Sequence, residues 1–157
     1  MIQYKRSKPF YMNMNSYRKY ESLCDIPGSE LAKIEYWHSE LELVVWNHLL
    51  YNFGRDSVER QIKVNIHPKT DDFEKLDWKI DFKVSLVGEP KYIEVKGKWI
   101  LDDKLQAVKF TSLLRLVNYM YPNIFKNLII VDDSPEEWVI PGTFIKVVNY
   151  KALRSLI

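Results

Sequence analysis

Two carboxylates and an ammonium lie close together in the stretch WKIDFKVSLVGEPKYIEVKGKW, residues 78 to 99: Asp81, Glu94 and Lys96. Carboxylates placed near one another can hold a hard divalent cation, because Mg²⁺ is satisfied by a few carboxylate oxygens and keeps several waters for phosphate oxygens to displace. An ammonium beside such an ion can orient a water molecule or help to remove its proton. The chemistry on offer is metal-assisted hydrolysis, provided the fold brings the three groups together.

The elements that must position them read as a β-hairpin. Strand side chains alternate between faces, so Ile93 and Val95 can enter a core while Tyr92, Glu94 and Lys96 share the other side. Gly88, Glu89 and Pro90 break two β-rich runs, Phe82 to Val87 and Lys91 to Lys96, as a short hairpin connection does. Folding the runs antiparallel about Gly88 and Glu89 predicts Asp81 within about a residue of the level of Lys96.

Composition bounds the rest. A chain of 157 residues fits one domain, and 46% hydrophobic residues with 14% aromatic suffice for a core, which excludes disorder over most of the length. No apolar run is long enough to span a membrane, and the N-terminus MIQYKRSKPFYMNMNSYRKY holds no apolar signal segment, so a cytoplasmic protein is expected. The single cysteine, Cys24, is expected to pack as a small hydrophobe. His38, His48 and His67 are too scattered for a Cys/His zinc site.

The net charge of +2 is unevenly spread. Residues 1 to 20 carry Lys5, Arg6, Lys8, Arg18 and Lys19 with no acid, which leaves 18 basic against 21 acidic groups elsewhere. Tyr4, Phe10, Tyr11, Tyr17 and Tyr20 are interleaved with those cations. Such an arm, residues 1–28, can neutralise phosphates and stack on bases, or cover a neighbouring subunit, or pack some aromatics on its own domain. Pro27-Gly28 predicts the break before a compact domain, residues 29–157.

From Ser29 to Tyr51, Leu31, Ile34, Trp37 or His38, Leu41, Val45 and Leu49 recur at helical intervals, and Gly54 ends the helix. Glu42 shares a face with Val45 and Leu49; Glu40 is the nearby alternative acid. Val58 to Ile66 reads as a half-buried strand closed by His67-Pro68, and KTDDFEKLD as a charged connection. After the hairpin, Asp102 or Asp103 can cap a helix whose buried face would be Leu105, Val108, Ser112, Leu116 and Met120 with Leu113 and Val117, stopped by Pro122. Lys98, Lys104 and Lys109 are cations suited to phosphate contacts. Phe125 to Val131 reads as a central strand covered on both sides, VDDSPEEW as a loop, Thr143 to Val148 as a strand and Tyr150 to Ile157 as a short helix.

Asp81 followed after a hairpin by Glu94-Val95-Lys96 resembles the motif of the PD-(D/E)xK nuclease superfamily, with Ile80-Asp81 where many members have Pro-Asp. The element order, helix, three strands, helix, strand, is similar to that superfamily's αβββαβ restriction-endonuclease-like core, an α/β fold with a mixed central sheet flanked by helices. Within it, YIEVKGKWILDDKLQ and the Ser39 to Glu42 pattern resemble the junction-resolving phage endonuclease I family. The likeness covers about residues 36 to 131.

The resemblance implies a DNA endonuclease acting on branched DNA such as a Holliday junction, in phage-type recombination or DNA processing in a bacterial or phage-infected cell. Asp81 and Glu94 would bind Mg²⁺, or Mn²⁺ as a substitute, with the Val95 carbonyl as a further ligand and Glu42 as an additional direct or water-mediated one. Lys96 would help to activate water. A homodimer would suit paired cuts across a junction. The alternative is a non-catalytic DNA-binding or accessory subunit of a recombinase or transposase assembly that has a nuclease-like fold; retention of Asp81, Glu94 and Lys96 together favours the enzyme.

Overall fold

A computed structural model describes residues 8–157, so the expectations for Lys5 and Arg6 lie outside the described residues. The chain divides into two compact units, Met1–Val44 and Val45–Ile157, rather than after Gly28. Strand pairing accounts for the difference. In the smaller unit β1 (Phe10–Asn13) lies between β2 (Lys19–Tyr20) and β3 (Ile34–Trp37), antiparallel to both. Phe10 stands opposite Trp37 and Met12 opposite Glu35, which ties residues past Gly28 to the basic arm. Glu30 accepts hydrogen bonds from the Asn13 amide at 2.8 Å and the Tyr20 hydroxyl at 2.7 Å, and these bonds hold its carboxyl below the usual range.

The helix expected from Ser29 begins later. Residues 28–33 form a 3-10 turn, Ile34–Trp37 is the strand β3, and α1 runs from Glu40 to Phe53. The apolar residues 31, 34 and 37 fit a helical interval, but IEYW is claimed by the ladder to β1. Ser39 sets the new start, its hydroxyl accepting the Glu42 N–H at 3.1 Å. Gly54 closes α1 with φ +81°, its N–H returning to the Leu50 carbonyl. Cys24 is exposed rather than packed, because the short turn Leu23–Asp25 that carries it buries none of its residues.

The larger unit is a mixed α/β structure around a six-stranded sheet, β4 (Val58–His67), β5 (Leu76–Val84), β6 (Lys91–Val95), β7 (Leu128–Asp132), β8 (Trp138–Val139) and β9 (Lys146–Asn149), in the order β4-β5-β6-β7-β9-β8. The first three strands are antiparallel, β7 is parallel to both β6 and β9, and β8 returns antiparallel. Strand β5 alternates as its sequence demands, burying Trp78, Ile80, Phe82 and Val84. Between β6 and β7 come α2 (Lys98–Leu101), α3 (Lys104–Met120) and α4 (Pro122–Lys126), and the chain ends in α5 (Leu153–Leu156). Strand β7 starts at Leu128 rather than Phe125, because Pro122 both ends α3 and opens α4 at a position where its missing N–H is no loss. The short strand β8 opens at Trp138, the last residue of the segment read as a loop.

Helix α3 is capped by Asp103, whose carboxylate accepts the Gln106 N–H at 3.0 Å. Its buried residues are Ala107, Phe110, Leu114 and Val117, whereas Leu105 and Val108 are 60% and 62% exposed. Both stripes have helical spacing, and the sheet takes the one that carries the aromatic ring. Val64, Ile66, Trp78 and Ile80 share a core with that face, together with Ile130, Ile140 and Val147. Phe82 instead stacks on Trp46 of α1, ring centres 5.9 Å apart, and Arg60 lies over the same indole. The β4–β5 ribbon therefore changes the helix it packs against between Arg60 and Ile62 on one strand and between Ile80 and Phe82 on the other. Among the described residues no helix is long and apolar enough to cross a membrane.

His48 of α1 stands edge-on to Tyr150, with its Nε2 buried and without a hydrogen-bond partner. Burial, with a smaller contribution from Lys151, pushes its pKa below the ordinary value. As pH falls through about 6.5, the unfolded chain takes up a proton that the folded chain resists, so stability is lost until pH reaches the depressed folded value. Thermal unfolding of His48→Gln should therefore lose part of the wild-type decline in Tm between pH 7 and pH 5, and parallel curves would show that His48 does not contribute.

Candidate functional site

The three residues singled out in the sequence meet where β5 leaves β6. The ladder between these strands covers Phe82 to Val84 against Ile93 to Lys91, and its register places Asp81 level with Glu94. Asp81 is therefore two residues from the level of Lys96, because the connection is centred between Val87 and Gly88 rather than between Gly88 and Glu89. At Asp81 the pattern of the ladder changes. The Asp81 carboxylate accepts the Val95 N–H at 2.8 Å, a side chain standing where a strand carbonyl would otherwise serve.

Glu94 is 2% exposed. One of its oxygens is 3.0 Å from the Lys96 ammonium and the other is 3.4 Å from the Asp81 N–H. Lys96 is held from two sides: its N–H donates to the Val131 carbonyl of β7 at 3.0 Å, and its ammonium lies 5.1 Å from the centre of the Phe110 ring of α3. The parallel ladder, Glu94 opposite Ile130 and Val95 opposite Val131, fixes this end of β6 against the buried end of β7, Ile130 to Asp132. Two carboxylates facing each other repel, and the Lys96 ammonium offsets the charge of Glu94.

Among the described residues no group of three or more His, Cys, Asp and Glu side chains gathers as a metal-binding cluster. The donor set of Asp81 and Glu94 suits an ion that needs only one or two carboxylates and keeps its waters, which describes Mg²⁺. Glu42 belongs to the smaller unit. It is buried, and it accepts the His38 N–H at 3.0 Å, with the His38 ring nitrogen 3.4 Å away. Glu40 pairs with Lys19 at 2.7 Å.

The proposed phosphate-binding cations fall into two sets. In the smaller unit Lys8 is exposed, Arg18 lies 5.4 Å from the centre of the Tyr20 ring, and Lys19 lies 4.7 Å from that of Phe10. In the larger unit Lys98 opens α2, 5.9 Å from the Trp138 ring, while Lys104 and Lys109 are exposed on α3.

Two features here have no signal in the sequence. Asp132, the residue after Val131, is completely buried and accepts hydrogen bonds from the Ser134 N–H at 3.0 Å, the Ser134 hydroxyl at 2.5 Å and the Trp138 indole at 2.8 Å. Its neighbour Asp133 has a raised pKa, from burial first and from the Asp132 carboxylate to a lesser degree. The second is Gln61, with φ +53°, between Arg60 and Ile62, which pair with Phe82 and Ile80 on either side of Asp81. Comparison with protein-family models, with curated proteins and with solved structures finds no match to this chain.

Proposed function

We propose that this protein is a metal-dependent DNA endonuclease of the PD-(D/E)xK type, with Asp81, Glu94 and Lys96 at its centre and branched DNA as its substrate. One observation carries the reading. The Asp81 carboxylate sits at the parting of β5 and β6, level with a buried Glu94 whose other neighbour is the Lys96 ammonium at 3.0 Å. The succession of α1, antiparallel β4, β5 and β6, then α3 and a parallel β7 supports a restriction-endonuclease-like core.

Asp81 and Glu94 would hold Mg²⁺, or Mn²⁺ in its place, through their carboxylate oxygens, with the Val95 carbonyl as a further donor. Bound there, such an ion supplies Lewis-acid stabilisation of phosphoryl and leaving oxygens. Lys96 is kept in place by Glu94 and by the strand end, so its Nζ can donate to the attacking water and direct a lone pair at phosphorus. The low accessibility around Glu94 keeps bulk water from screening these groups. Lys98, Lys104 and Lys109 would meet backbone phosphates, which makes binding weaker as salt rises. A twofold dimer would supply two such centres for paired cuts.

The test is cleavage of a labelled four-way junction beside a linear duplex of the same sequence, with Mg²⁺ or with EDTA. Mg²⁺-dependent cuts concentrated at the junction are expected. Equal cutting of both substrates would replace junction selectivity with a general nuclease, and tight metal-independent binding without any cut would replace the enzyme with a DNA-binding subunit.

A further inference from the structure

Gln61 adopts a backbone conformation that its strand does not otherwise require. Its φ of +53° lies in the left-handed region, where residues other than glycine, asparagine and aspartate are strained. The other described non-glycine residue of this kind, Tyr17, lies in the turn between β1 and β2, where such angles are ordinary. Gln61 is inside β4. The ladder holds one register on both sides of it, Arg60 opposite Phe82 and Ile62 opposite Ile80, so no residue has been inserted and the strain does not come from a bulge.

Three observations meet at this residue. The pairs Arg60 with Phe82 and Ile62 with Ile80 bracket Gln61 on one strand and Asp81 on the other. On one side of the pair, Arg60 and Phe82 pack on Trp46 of α1; on the other, Ile62, Val64, Trp78 and Ile80 join the core of α3. And Asp81 is where the ladder to β6 gives way to a side-chain bond to the Val95 N–H. A ribbon that changes the helix it packs against without gaining a residue must take up the change in its dihedral angles, and the left-handed angle at Gln61 marks where it does so. The residue directly across the ribbon from that point is the one whose carboxylate enters the slot beside β6.

We propose that Gln61 is a positioning residue for Asp81, acting through its backbone: the left-handed turn at 61 swings the ribbon so that the Asp81 carboxylate reaches the Val95 N–H and stands level with Glu94. The placement is a property of the fold, and only its consequence for metal binding rests on the nuclease reading. Strain of this kind, held at a site rather than relaxed to glycine, is what pre-organisation of a reacting group requires.

The experiment compares wild type with Gln61→Gly, Gln61→Asn and Gln61→Val in the full chain. It reads the Val95 amide signal by ¹⁵N NMR without metal and Mn²⁺ affinity by calorimetry. Glycine and asparagine accept the left-handed angle, whereas a β-branched valine does not. Gln61→Gly and Gln61→Asn should keep the Val95 signal and the Mn²⁺ affinity. Gln61→Val should move the Val95 signal and weaken Mn²⁺ binding about 10- to 100-fold, the range for residues that orient a metal's ligands.

If Gln61→Val unfolds, the glycine variant still decides, since a lost Val95 signal there would overturn the proposal. An unmoved Val95 signal in a folded Gln61→Val would overturn it as well. A wild type that neither binds Mn²⁺ nor cuts DNA would remove the nuclease reading, while the Val95 signal would still rule on Gln61.

Discussion

Lys96→Ala should lower the rate of DNA cleavage about 10²- to 10⁴-fold, the span over which a positioned proton-handling group contributes. Glu94→Gln should cost at least as much, because it removes a charge from the ion's ligands and breaks the pair that holds Lys96 at 3.0 Å. The two residues act as a unit, so the double variant should be hardly worse than the worse single one. Their effects on folding should differ in sign. Glu94 is a carboxylate at 2% exposure beside a second carboxylate, and its neutral isostere relieves repulsion, so Glu94→Gln should unfold at the same temperature or higher. Lys96→Ala leaves two carboxylates facing each other without the ammonium and should unfold at a lower one. Single-turnover cleavage with thermal unfolding on the same preparations checks both. Loss of activity that followed loss of Tm in every variant would count against a chemical role for the pair.

The second large effect is expected at a residue given no part in the chemistry. Asp132 is completely buried and accepts from the Ser134 backbone, the Ser134 hydroxyl and the Trp138 indole. Truncating it to alanine strands three donors at once and should cost about 3 kcal/mol, given that a hydrogen bond to a charged group contributes about 1.5 to 3 kcal/mol and that such losses are not additive. Urea unfolding measures it. Asp132→Asn keeps the shape and one acceptor oxygen and should recover part of the loss. A cost within 0.5 kcal/mol, the size usual for an ordinary surface substitution, would mean that the network is dispensable.

Much of the larger unit could be read from alternation alone. LDWKIDFKV buries every second residue from Trp78 to Val84, KYIEV ends in three buried residues in a row, and the turn residues between them mark a hairpin whatever its register. Register was harder to read. The connection from Ser85 to Pro90 spans six residues, and its glycine and proline mark where the chain turns without marking its centre, so Asp81 was assigned two residues from where it pairs. Helix α3 misled for another reason: Leu105, Val108 and Leu116 form as good a helical stripe as Ala107, Phe110, Leu114 and Val117, and only the sheet decides between them. In the smaller unit, IEYW extended an apparent helical period although it is a strand, since pairing with FYMN is a contact between distant parts of the chain. The angle at Gln61 and the donors around Asp132 belong to tertiary structure and leave no local pattern to find.

Asp81 also constrains how this protein could change over generations. Its carboxylate does the work of a strand carbonyl for the Val95 N–H, so losing it would leave a donor unsatisfied at the end of a buried strand. A lineage that no longer needed the charge could not drift freely at this position. It would be steered towards a side chain that still offers an oxygen, asparagine before alanine. An inactive descendant would then keep the outline of the site long after its chemistry had gone, so a well-formed slot in a relative would testify to folding first and to activity only where the second carboxylate and the ammonium remain.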